Sequence, residues 1–82
     1  MTKLIKLYKQ NCNPCTMVTG FLDNKEVQYE SFDIMQNTDL AVKYGIMSVP
    51  VVLLTDDEGK EISRSTGFNP PELDTLVSML QK

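Results

Sequence analysis

The 82-residue chain is enough for one small domain, and its 41% hydrophobic and 23% charged residues are an ordinary globular composition with a modest core. A net charge of −3, from eleven acidic and eight basic residues, leaves no broad cationic face and argues against nucleic acid as a partner. The opening MTKLIKLYKQ interrupts its apolar residues with a lysine at every third position, so it carries no signal-peptide core, and no apolar run approaches the roughly 18 residues of a membrane span. The expectation is a soluble cytoplasmic protein, a single domain over residues 1–82, with no membrane contact.

In chain order, Leu4, Ile5, Leu7 and Tyr8 form an apolar run too short for a helix and predict a strand over residues 3–8. NCNPC, residues 11–15, follows at once. From Pro14 onward, Cys15, Val18, Phe21 and Leu22 recur at helical spacing, and proline suits a first helical turn, so a helix is expected to about Asp23. Residues 27–34 alternate imperfectly and predict a second strand. Leu40, Ala41 and Tyr44 mark a short helix after Asn37 and Thr38, closed by Gly45. VVLLT, residues 51–55, reads as a buried strand, and DDEG, residues 56–59, turns it into a hairpin with residues 60–65. Asn69 with Glu72 forms a capping box around Pro70 and Pro71, and Leu73, Leu76, Val77 and Leu80 give the closing helix its apolar face. The predicted order is βαβαββα, an α/β chain.

NCNPC contains both cysteines of the chain, Cys12 and Cys15. A structural disulfide is a weak explanation, because the cytosol keeps ordinary thiols reduced and a bridge closing so short a loop restricts the unfolded chain little. A closed zinc site needs about four ligands, and the chain has no histidine, which leaves only a metal or cluster shared between chains or completed from outside. A C-x-x-C between a strand and a helix in a cytosolic chain points instead to dithiol redox chemistry, with inert cysteines and a shared metal as the alternatives.

With C-x-x-C placed between its first strand and first helix, the chain resembles the thioredoxin and glutaredoxin superfamily over nearly its whole length. KYGIMSVPVVLL, residues 43–54, is similar to the thioredoxin segment whose proline is cis and faces the dithiol, and STGFNPPEL, residues 65–73, is similar to the NrdH redoxins that supply electrons to ribonucleotide reductase. The resemblance implies a thioredoxin fold: a four-stranded mixed sheet flanked by three helices. It also implies a thiol-disulfide oxidoreductase with no bound cofactor or metal, working through a redox-active Cys12–Cys15 disulfide. Its electron source would be an NADPH-dependent, flavin-containing thioredoxin reductase, and its substrate a protein disulfide such as that of ribonucleotide reductase. A monomer is expected, since an exposed dithiol must be presented to bulky partners. One alternative is a glutathione-dependent glutaredoxin, although TGFNPPEL lacks the Gly-Gly and paired acids with which glutaredoxins hold glutathione. A non-catalytic module binding a shared metal or cluster is another.

Cys12 at the helix cap and Cys15 one turn in lie on one face, with Cys12 the more exposed. Cys12 is therefore expected to be the attacking sulfur, its thiolate favoured by orphan amides and the helix dipole, with Lys9 as a further cation. Cys15 is the resolving thiol, and Pro14 restricts the loop and tunes the sulfur environment. If Pro50 is cis, the backbone of Val49 is left to pair with an extended substrate segment, which makes Val49 and Pro50 substrate contacts. Gly67 and Phe68 divide between a turn glycine with a core aromatic and a rim around the dithiol. Lys6 falls where thioredoxins carry a buried acid, so the family's proton-relay account does not carry over. It is expected to be a surface lysine extending to water, or else to pair with Asp33 on the neighbouring strand. Asp56, Asp57 and Glu58 read as a solvated turn, and Met35 and Met47 as adaptable packing near the site.

Overall fold

A computed structural model describes residues 2–80. Its elements, in chain order, are β1 (Thr2–Tyr8), α1 (Asn13–Asn24), β2 (Tyr29–Asp33), α2 (Thr38–Tyr44), β3 (Val51–Asp56), β4 (Glu61–Thr66) and α3 (Pro70–Met79). The strands form one mixed sheet in the order β2-β1-β3-β4. β1 runs parallel to β2 and antiparallel to β3, and β3 runs antiparallel to β4. This is the βαβαββα thioredoxin fold expected from the sequence.

Alternation along the strands divides the core between the two faces of the sheet. Leu4, Val52 and Leu54 pack with Val18 and Leu22 of α1 and with Leu73 and Leu76 of α3. Ile5, Leu7, Val51 and Leu53 pack on the opposite face with Tyr44, at the end of α2, and Ile46. β3 is buried along Val51 to Thr55, as the unbroken apolar run required.

Local chemistry sets the ends. Gly45 closes α2 in the left-handed region at φ 63°, where glycine avoids the Cβ penalty. Asn69 caps α3 by accepting from the Glu72 amide at 3.3 Å. Only this half of the expected capping box forms among the described residues: the carboxylate of Glu72 accepts from the Ser65 hydroxyl at 3.2 Å and so ties α3 to β4. β2 is shorter than the predicted 27–34. Glu26 takes a positive φ of 58°, and Asp33 ends the strand by accepting from the Met35 amide at 2.9 Å.

The register gathers one end of the molecule. β1 and β2 are parallel, so the loops after Tyr8 and Asp33 leave the same edge. Leu7 pairs with Val51 and Val51 with Thr66, which brings Pro50 and Gly67 to that edge as well.

Candidate active site

α1 begins on the dithiol. Cys12 is its N-cap, in extended conformation, and its Sγ accepts from the Cys15 amide at 3.2 Å. The Cys12 carbonyl accepts from the Thr16 amide at 3.2 Å. Asn13 and Pro14 form the first turn, and proline removes no bond there because that amide has no partner within the helix. Cys12 and Cys15 form a disulfide, their Cα atoms 5.2 Å apart. Cys12 is partly exposed, whereas Cys15 is only 4% exposed, so the two sulfurs are chemically unequal before any partner arrives. An amide aimed at Cys12 Sγ and the positive end of a twelve-residue helix both favour negative charge on that sulfur when it is reduced.

Beside the dithiol, between the end of β1 and the first turns of α1, lies a cavity of about 390 Å³. Cys12 and Cys15 line it together with Lys6, Lys9, Thr16 and Thr19. Lys9 is exposed at its rim. At the same end of the sheet, the Val49–Pro50 peptide is cis, and the Pro50 carbonyl accepts from the Gly67 amide at 2.8 Å, joining two of the predicted contact residues. Val49 is partly buried against the α2-side core, and Gly67 turns the chain at φ 73°. Phe68 packs against the α1–α3 core, edge-on to Phe21 with ring centroids 6.4 Å apart. Met35 and Met47 are 72% and 97% exposed, in the loops after β2 and before β3.

Lys6 corrects both expectations made for it. It is buried, not a lysine extended to water. Its Nζ donates to Thr19 Oγ1 and lies over the rings of Tyr8 and Tyr29, at 4.9 and 5.7 Å from their centroids. Asp33 is not its partner, because that carboxylate accepts from the Met35 amide and from Gln10 Nε2. Burial lowers the Lys6 pKa, an effect partly opposed by the charge of Asp23. Thr19 and Tyr29 were not singled out from the sequence. Thr19 stands four residues after Cys15 on one helix face, a signal that was present, whereas Tyr29 reaches Lys6 only through the β1–β2 pairing.

Residues 2–58 match the Glutaredoxin family model. The chain is 46% identical over 79 residues to the SPbeta prophage-derived thioredoxin-like protein YosR of Bacillus subtilis, covering 96% of this chain and 99% of that one. It belongs to the thioredoxin/glutaredoxin superfamily. A thioredoxin of Staphylococcus aureus is 29% identical over 86 residues, covering 98% of this chain and 80% of the relative. Among solved structures, Fasciola hepatica thioredoxin superposes with a TM-score of 0.82 at 25% identity, covering 98% of this chain and 81% of that one. Oxidised mitochondrial thioredoxin 3 of Saccharomyces cerevisiae gives 0.80, also at 25% identity, over 96% and 78%. Superfamily membership and the Cys12–Cys15 disulfide together make this chain a thioredoxin-like thiol-disulfide oxidoreductase.

Proposed function

We propose that this protein is a dithiol electron carrier that reduces protein disulfides. The observation that carries the reading is the inequality of the two sulfurs: a partly exposed Cys12 capping α1 and a buried Cys15 one turn below. In the reduced protein the Cys12 thiolate attacks one sulfur of a substrate disulfide. The substrate S–S bond breaks, a Cys12–substrate disulfide forms, and the displaced substrate thiolate takes up a proton. Cys15 then loses its proton and attacks Cys12 Sγ, expelling the second substrate thiolate and regenerating the Cys12–Cys15 disulfide. Two electrons pass to the substrate with no bound cofactor.

Val49 and Pro50 align the substrate. Backbone groups ahead of the cis proline lie at the dithiol end of the sheet and pair with an extended segment around the substrate cysteine, while Gly67 supports that loop through Pro50. Met35 and Met47 add an adaptable apolar border. The electron source is a flavin-containing, NADPH-dependent thioredoxin reductase, and ribonucleotide reductase is a suitable substrate. The protein works as a cytoplasmic monomer.

A second reading, glutathione as the reductant, draws support from the Glutaredoxin family match over residues 2–58. NADPH consumption against an insulin-type disulfide, driven by thioredoxin reductase or by glutathione with glutathione reductase, separates the two. Turnover with the first system alone is the expected result. Turnover with glutathione alone would replace the proposed electron source by the second.

A further inference from the structure

Lysine is rarely buried without an ionic partner, because desolvating its charge is unfavourable. Lys6 is nevertheless only 6% exposed, and among the described residues no carboxylate lies within ion-pair distance of it. Its ammonium is held by the Thr19 hydroxyl and by the faces of Tyr8 and Tyr29. Thr19 Oγ1 in turn donates to the Cys15 carbonyl at 3.2 Å, so the group that accepts from Lys6 is anchored on the resolving cysteine. Lys6 and Cys15 also line one cavity. The ionisable groups around Lys6 are Tyr8 and Lys9 from β1 and the loop after it, Tyr29 from β2, and Cys12, Cys15 and Asp23 from α1. β3 places Val52 beside it, and α3 contributes the apolar Leu73 and Leu76 to that face.

We propose that Lys6 is an electrostatic positioning residue: its ammonium, fixed by Thr19, faces the cavity and stabilises the Cys15 thiolate in the step that releases the reduced substrate. This rests on the thiol-disulfide reading above. In the mixed disulfide, Cys15 gives its proton to water in the cavity and attacks Cys12 Sγ. The Cys12–substrate bond breaks, and the departing substrate thiolate takes up a proton. The electron balance of the reaction is unchanged, and Lys6 acts only on the charge that develops at Cys15 on the way. A cation here does what a buried acid cannot: it attracts the anion directly.

Two readouts test this, and neither uses a reductase, so failure of the electron-source reading leaves them intact. The first is the titration of Cys15 by thiolate absorbance in Cys12→Ser protein. With Lys6 present, Cys15 should ionise below the ordinary thiol value of about 8.5 despite its burial. An apparent pKa at or above that value overturns the proposal even if no Lys6 variant folds. The second is the stopped-flow rate of the second thiol release from a small aryl disulfide, followed against pH in protein with both cysteines. Lys6→Met should move both profiles to higher pH, and a profile displaced by about one pH unit leaves about tenfold less thiolate at neutral pH. Lys6→Arg should restore them. Profiles unchanged by Lys6→Met, or Lys6→Arg behaving like Lys6→Met, would reject the charge as the active feature. Lys6→Met should be at least as heat-stable as the parent, since it replaces a desolvated charge by an apolar chain of similar length.

Discussion

The two faces of the sheet are built from alternate residues of the same strands, yet they treat a buried polar group in opposite ways. Under α1 and α3, Lys6 interrupts a line of apolar neighbours and is given partners on both adjoining elements. Under α2, alternation places Thr55 beyond Val51 and Leu53, fully buried, with no hydrogen-bond partner for its hydroxyl among the described residues. One group is costly and supported beside the dithiol; the other is costly, unsupported and far along the strand from it. The difference separates the face on which α1 carries the dithiol from the face on which α2 packs.

Removing the sulfurs breaks this contrast most completely. Cys12→Ser should reduce disulfide reduction to the uncatalysed background, and Cys15→Ser should accumulate a covalent substrate adduct that nonreducing electrophoresis detects. Full activity in Cys12→Ser would reverse the assigned roles.

Leucine truncations sharpen it. Leu22→Ala on the dithiol face and Leu53→Ala on the α2 face each empty a fully buried site and should each cost about 2–5 kcal/mol in urea unfolding. Only Leu22 packs α1, the helix that carries Cys15, so only Leu22→Ala should also change Cys15 titration. Equal effects on Cys15 from both variants would remove the distinction between the faces.

Most of this molecule was legible in the sequence because each element carried its own local signal. Gly45, Asn69 and the NCNPC loop announce their roles through backbone preference and spacing, and VVLLT announces a strand buried on both faces. The sequence also marked Lys6 as a departure from the family pattern. Its partners were hidden, because the contact with Tyr29 depends on the parallel pairing of β1 with β2, and Asp33 is taken by a turn just after its strand. A one-dimensional pattern gives the face a side chain points to. Which of several polar neighbours reaches it is decided by register and by competition, neither of which a single strand contains.

Thr55→Val is a smaller change. It keeps the shape and removes the unpaired hydroxyl, and it should raise stability by about 1 kcal/mol while leaving reduction kinetics unchanged. A loss of stability would mean that this hydroxyl has a partner in solution.

The smallest expected effect lies in alkali, where the dithiol face contains two groups acting in opposite directions. Burial, followed by the hydrogen bond to Asp23, raises the Tyr29 pKa from its usual 10.0 to about 12. The stability this gives is fully present below pH 10 and is lost as pH rises through about 12, because the unfolded chain releases the proton first. Lys6 has the opposite sign: its pKa is lowered from 10.5, so the unfolded chain binds the extra proton, and stability rises with pH between the folded value and 10.5. Tyr29→Phe should therefore flatten the alkaline loss, and Lys6→Met should remove the gain that precedes it. The Tyr29 effect is small, because Tyr29 and Asp23 remain partly in water and solvent screens their interaction. Urea midpoints followed from neutral pH upward read both slopes. If Tyr29→Phe lost stability with pH as steeply as the parent, the Tyr29–Asp23 contact would not shape alkaline stability, and the polar end of the dithiol face would reduce to Lys6, Thr19 and Cys15.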